Sequence, residues 1–234
     1  MIQISNHIIK NYLEFLKELD NNNNRTWFAV NKSRHTKLKA DFEQWLDNSV
    51  LDTIKNYDHT LMHITAKDCT YRINRDIRFS KDKKPYKTYL PTFISRQGKC
   101  DSATGYYIQF NTDYQLLIGV GRYEIESNEL FRIRKKLTEI DQDNPEFGNN
   151  LNIEQFHNIT NKLIKDGFED KSDMLKTYPR GFDKNHSEID ILRHKNFVFS
   201  QNVDCLDLDM DTIATRINSG IKDSVQFVHW LYQL

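Results

Sequence analysis

The spacing of apolar residues changes twice along this chain, and that double change limits the possible folds more than any other feature. At the start, Ile8, Ile9, Tyr12, Leu13, Phe15, Leu16 and Leu19 recur with the 3.6-residue period of a helix that buries one stripe. Ser5 offers an N-cap. The run Asn21–Asn24 closes the helix, because asparagine side chains compete for the local backbone and tolerate left-handed turns. Asn24 is placed to cap a second, short helix with Trp27 and Phe28. A longer one follows, with Leu38, Phe42, Trp45, Leu46, Leu51 and Ile54 on one stripe.

After Tyr57 the helical period stops. Leu61–Thr65 and Cys69–Arg75 read as extended. Thr88–Ser95 reads as a strand that Pro91 confines to an edge or a bulge. Gly105–Phe110 and Gln115–Gly121 alternate around a turn at Asn111–Asp113, the clearest hairpin in the chain. The helical period then returns. Ser127 to Ile140 is one helix and Ile153–Ile164 another, closed by Gly167. Asp141–Asn150 connects them, and Lys176–Lys184 is irregular. Glu188–His194 is a short helix, Phe197–Phe199 a short strand and Asp207–Leu234 a long terminal helix.

Helices, then strands, then helices predict an α+β fold, a mostly antiparallel sheet flanked by N- and C-terminal helices. The 234 residues are enough to bury a core, and no repeat, low-complexity tract or long linker divides them, so the reading is a single domain over 1–234. The 12% aromatic content builds that core on Phe, Tyr and Trp. Lys plus Arg and Asp plus Glu both number 33, and zero net charge excludes a general coat for nucleic acid. The three cysteines, Cys69, Cys100 and Cys205, are far apart and form no CxxC pair, which points to a reducing compartment rather than a disulfide framework. Neither a leader pattern at the N-terminus nor a spanning run of apolar residues is found. The expectation is a soluble, cytoplasmic protein without a membrane partner.

Against that balance, one stretch stands out. Tyr71–Tyr89 holds Arg72, Arg75, Arg78, Lys81, Lys83, Lys84 and Lys87 against Asp76 and Asp82, seven positive minus two negative, or +5. As a strand, Tyr71–Ser80 would put Arg72, Asn74, Asp76 and Arg78 on one face. Arg75 would lie among Tyr71, Ile73, Ile77 and Phe79 on the other. A charge there requires a carboxylate, a ligand or a local irregularity. The loop beyond Phe79 can aim lysines and backbone N–H groups at an anion. Arginine forks suit phosphate or carboxylate, and Tyr71, Tyr86 and Tyr89 offer rings for a base. The same cations also fit a solvated sheet edge, where lysine discourages strand pairing, with Arg75 bonded to Asp76 or a helix end.

Four stretches together resemble an uncharacterised family of bacterial and fungal proteins known only as a domain of unknown function. They are NNNNRTWF (Asn21–Phe28), RINRDIRFSKDKKPYKT (Arg72–Thr88), GYYIQF with GVGRY (Gly105–Phe110 and Gly119–Tyr123), and PRGFDKNH (Pro179–His186). The second is the most specific. In the fourth, Ser187 stands where the family pattern has proline, which puts that turn alone in question. The resemblance implies a single-domain unit of about this length and a housekeeping or metabolic task. It places Arg72, Arg75, Asp76, Arg78, Phe79, Asp82, Lys83, Pro85, Tyr86 and Lys87 at signature positions, and it carries no activity.

Other candidates weigh less. Gly119-Val-Gly121 lacks the third glycine of a dinucleotide loop and fits plain hairpin geometry. Asp183 and His186 are spaced for an acid–base pair or for a turn that caps the next helix. His59 and His63 suit a metal only on a helix. Asp207, Asp209 and Asp211 lack the glycine and glutamate of a calcium loop and fit a helix N-terminus instead, so no metal is expected and no pattern names a cofactor. Cys69, beside the basic stretch, reads as a half-buried strand cysteine.

The favoured reading is a small binding protein or enzyme for a phosphate-bearing anion, such as a nucleotide or a nucleic-acid end. Arg72, Arg75, Arg78, Lys83, Tyr86 and Lys87 would hold the anion, with Arg180 as a second wall. Asp76, or Asp183 with His186, would move any proton. The alternative is a non-catalytic module that docks an acidic protein or an RNA backbone. A third reading makes the stretch structural.

Overall fold

The computed structural model describes residues 7–100, 103–138 and 153–233. The architecture is α+β, a five-stranded antiparallel sheet with helices before and after it. Helix α1 (Ile8–Asn21) buries the seven apolar residues that its period marks out. Ser5 lies outside the described residues. Asn22 stops the helix, and the Asn24 side chain accepts from the Trp27 N–H (3.0 Å) to start α2 (Arg25–Trp45).

The two helices expected between Asn24 and Ile54 are one continuous course. It runs through α2, a π-turn at Leu46–Leu51 and a last turn, α3 (Asp52–Ile54). Adding a residue per turn lines up positions five apart, so Trp45 with Val50 and Leu46 with Leu51 all reach the core. The segment expected to be extended is also helical in part. A 3-10 turn covers His59–Leu61, and α4 (Ala66–Cys69) is opened by a capping box between Thr65 and Asp68. Thr65 and Asp68 stabilise a helix start that hydrophobic period alone does not reveal.

Strands β1 (Tyr89–Ile94), β2 (Gly105–Asn111) and β3 (Gln115–Arg122) follow as expected. Then come α5 (Ser127–Thr138), α6 (Ile153–Lys165), β4 (Glu169–Asp170), α7 (Ile189–Leu192), β5 (Phe197–Asp204) and α8 (Met210–Gln233). The connection expected at Asp141–Asn150 lies outside the described residues. The sheet order is β1-β2-β3-β5-β4, which puts Pro91 on an edge strand, where its missing N–H is tolerated. Strand β4 pairs antiparallel with β5, Glu169 opposite Ser200. Gly167, at φ 91°, ends α6 as its C′ residue. The Phe168 N–H reaches the Leu163 carbonyl and the Gly167 N–H the Ile164 carbonyl, the two bonds of a Schellman motif. Among the described residues no helix is long and apolar enough to cross a membrane.

Backbone packing resolves two compact units. The first is drawn from Met1–Lys99, Tyr107–Ile118 and Asn202–Lys222, the second from Cys100–Tyr106, Gly119–Gln201 and Asp223–Leu234. The core of the first is aromatic. Tyr12, Phe15, Trp27, Phe28 and Phe42 surround or adjoin His35, and Phe42 and Trp45 meet Phe110 of β2. In the second, Phe156, His194, Phe197 and Trp230 form one cluster, joined by Phe199 and Phe227. Here Arg134 is buried without a carboxylate partner among the described residues. It donates to the Leu192 carbonyl (2.6 Å) and the His194 carbonyl (2.9 Å), saturating the end of α7. Gly121 has a steric cause of its own. At φ 128°, a Cβ there would lie 1.9 Å from the Phe197 carbonyl oxygen, so the second glycine of GVG is required by strand packing.

Candidate functional site

The basic stretch belongs to the first unit and is an arm rather than a strand. Thr70 bridges to Thr92 and Asn74 to Tyr86. The Arg75 N–H donates to the Pro85 carbonyl (2.9 Å) and the Lys87 N–H to the Ile73 carbonyl (2.8 Å). Pairing stops there. Pro85 has no N–H to donate, and cations on both sides of a longer ladder would repel. From 76 to 84 the backbone is turned by aspartates instead. Asp76 Oδ1 accepts from the Arg78 N–H (3.2 Å) and Asp82 Oδ1 from the Lys84 N–H (3.0 Å).

The base of the arm is fixed by the asparagine–aromatic segment. The Asn23 side-chain amide stands in for a strand partner: its Nδ2 donates to the Tyr86 carbonyl and its Oδ1 accepts from the Tyr86 N–H, both at 3.1 Å. Phe28 stacks on the buried Tyr86 ring at 4.2 Å between centroids. Two stretches whose joined residues, Asn23 and Tyr86, lie 63 positions apart in the chain are thus one piece of structure.

Of the cations, three pair with acids. Arg75, with its side chain 27% exposed, donates to Asp82 Oδ2 (2.6 Å), the Lys84 carbonyl (3.1 Å) and Ser80 Oγ (3.4 Å). A carboxylate partner is therefore what relieves its charge. Arg78 grips Asp76 in a fork (Nε 3.0 Å, Nη2 2.6 Å), and Lys84 reaches Asp20 (2.5 Å). Two lysines hold backbone carbonyls, Lys83 that of Ile77 (3.0 Å) and Lys87 those of Arg72 and Asn74 (2.8 Å each). Arg72 and Lys81 are exposed, and their side chains make no hydrogen bond or ion pair among the described residues. With Asp20 counted against it, the arm keeps a charge of +4, from +7 less Asp76, Asp82 and Asp20.

The electrostatics follow the geometry. Arg78 holds the Asp76 carboxyl down at about 2. The Lys84 N–H and then Arg75 hold Asp82 below its ordinary value. Asp20 raises Lys84. Burial, then Arg72 and Arg75, push the half-buried Lys87 ammonium down, a sign of like charges gathered at the arm's base. Asp76 is thus locked as an anion, a poor candidate for taking up a proton near neutral pH.

The candidates of Pro179–His186 lie in the second unit. Arg180 is exposed and Pro179 buried. Phe182 meets Phe131 edge to face at 5.7 Å. Asp183 Oδ1 accepts from the Asn185 N–H (2.9 Å), and His186 Nδ1 accepts from the Glu188 N–H (3.1 Å). Each polar group is used in a turn, and no hydrogen bond joins the Asp183 carboxylate to the His186 ring. His63 Nε2 meets the Arg96 carbonyl (3.0 Å), and among the described residues no group of three or more His, Cys, Asp or Glu is arranged to hold a metal. Cys69 is in α4, not in a strand, and burial pushes its thiol up to about 12, far from reactive. Asp209 accepts from the Thr212 N–H (2.7 Å) and opens α8, as its spacing suggested.

Residues of the arm's support escape a reading by charge. Asn23, Phe28 and Asp20 carry no local sign of a partner sixty residues on, although an asparagine run two residues before a pair of aromatics marks the place. The clefts at Arg122–Asn196, Ser49–Lys222, Ala29–Ala40 and His7–Ile213 contain no residue of 72–88.

The fold and the arm define an α+β protein in which the turn between α1 and α2 braces a strongly basic arm. Over residues 11–230 the chain matches the conserved hypothetical protein family DUF2461, and it belongs to that family. No curated protein and no solved structure matches it.

Proposed function

We propose that the arm docks the phosphate backbone of a nucleic-acid strand. The observation that carries this reading is the distribution of charge on a fixed support. The arm keeps +4, and its exposed Arg72 and Lys81 side chains make no ion pair among the described residues, while Asn23 and Phe28 hold its base in place. An ordered cationic surface loses little conformational freedom on binding an anion, and each phosphate neutralised releases a counterion. With no residue of 72–88 in any of the clefts described above, the arm suits a polymer that can run along it better than a small phosphate ester that needs enclosing. The proton-transfer role considered for Asp76 fits poorly with its fork to Arg78.

The test is binding of a fluorescent single-stranded RNA of about twelve nucleotides, followed by anisotropy across a salt series. Arg72, Lys81, Lys83 and Lys87, the cations without a carboxylate, predict a slope of log K against log salt of about −2.8 (roughly 0.7 per phosphate for a single strand). Arg72→Ala should lower the magnitude by about 0.7. Binding that ignores salt, or a slope that Arg72→Ala leaves unchanged, overturns the proposal.

A further inference from the structure

The tip of the arm presents one side chain that the fold does not use. Phe79 is 95% exposed, more than any other large apolar residue described. Its neighbours Ile77, Arg78 and Ser80 are braced. Lys83 holds the Ile77 carbonyl on one side, Arg75 reaches the Ser80 hydroxyl on the other, and Asp76 binds both the side chain and the N–H of Arg78. The Arg78 guanidinium carbon lies 5.8 Å from the centre of the Phe79 ring, leaving most of that ring open. A scattered exposed apolar residue on a surface needs no explanation. This ring sits in the Asx-turned loop 76–84, flanked in the chain by Arg78, Lys81 and Lys83, where phosphates would be drawn.

Resting on the backbone-docking reading above, we infer that Phe79 is a stacking platform for an unpaired base, so that the strand the arm takes is single-stranded. The chemistry of the tip alternates in the same way as such a strand does. Cations answer the phosphates, and a flat apolar ring answers the π-face that every base presents. A duplex keeps its bases stacked on one another and offers the ring nothing. An acidic peptide would satisfy the cations and leave the ring in water.

Three probes separate the possibilities: a labelled single strand of about twelve nucleotides, the same sugar–phosphate chain without bases, and vesicles containing phosphatidylserine. Phe79→Ala alters only an exposed side chain, so the fold is kept, and Phe79→Trp supplies a reporter. The expected result is that Phe79→Ala weakens the base-bearing strand roughly 5- to 150-fold, the span set by one base–aromatic stack. The base-free chain should bind equally to both proteins, and tryptophan emission in Phe79→Trp should be quenched when the base-bearing strand is added. If the wild-type protein binds both chains and Phe79→Ala weakens neither or both alike, the stacking role is wrong and the backbone reading stands. If the wild-type protein binds neither chain, the backbone reading falls as well. Binding to the vesicles with no binding to the strands makes Phe79 a membrane-inserting tip and overturns both.

Discussion

Replacing Asn23 by alanine should loosen the arm without touching any of its charges. Its side chain makes two 3.1 Å hydrogen bonds, one to the N–H and one to the carbonyl of Tyr86, a residue only 7% exposed. Two bonds of this kind contribute about 2 kcal/mol net, and leaving both backbone groups under-satisfied brings the loss to roughly 2–3 kcal/mol. For a chain of this length, 1 kcal/mol moves the midpoint by about 2–4 °C, so thermal unfolding followed by circular dichroism should fall by roughly 5–10 °C. The loss should also be local. Amide exchange at Arg75 and Lys87, whose N–H groups close the arm's base, should accelerate more than exchange in β2 or β3. An unchanged midpoint together with unchanged protection of those two amides would refute the view that the Asn21–Asn24 turn holds the arm.

Two further outcomes test the frame around it. Gly121→Ala places a Cβ 1.9 Å from the Phe197 carbonyl oxygen at a φ of 128°, and nothing but backbone can move aside. A loss above about 4 kcal/mol is expected, seen as failure to accumulate folded protein; a soluble variant with wild-type circular dichroism would contradict it. His35 is buried against the Tyr12 hydroxyl (3.1 Å), and burial and then Lys39 lower its pKa to about 4. The unfolded chain therefore binds a proton that the folded one refuses. The stability is complete above pH 6.5 and is lost as pH falls from 6.5 to about 4, by roughly 3 kcal/mol in all. Urea unfolding of the wild type and His35→Gln from pH 7 to 4 should show a shallower pH dependence in the variant; parallel curves would exclude His35 as the cause.

Much of the fold was readable because its signals are local. Seven apolar residues mark α1, alternation marks β2 and β3, and Gly167 marks the end of α6. What misled is also physical. The capping box of Thr65 and Asp68 starts a helix between two stretches whose spacing suggested extended chain, and α2 runs unbroken from Arg25 to Trp45 where the spacing divides a short helix at Trp27 and Phe28 from a longer one at Leu38. At the arm, charge density located the stretch. It did not reveal that Arg75 would find Asp82 seven residues on, because Asx turns and Pro85 bend the chain back. Nor could it show that Tyr86 is held by Asn23, a contact set by tertiary packing alone.

The clamp at Asn23 makes the tetrapeptide Asn21–Asn24 a ruler. Asn22 stops one helix and Asn24 starts the next, so Asn23 is left at a single distance and angle from Tyr86. Adding or deleting one residue there would leave both helices and the full set of cations in the protein, yet turn the amide away from its target. Variation in the number of those asparagines is therefore a more sensitive gauge of what this surface can tolerate than the identity of any lysine on it.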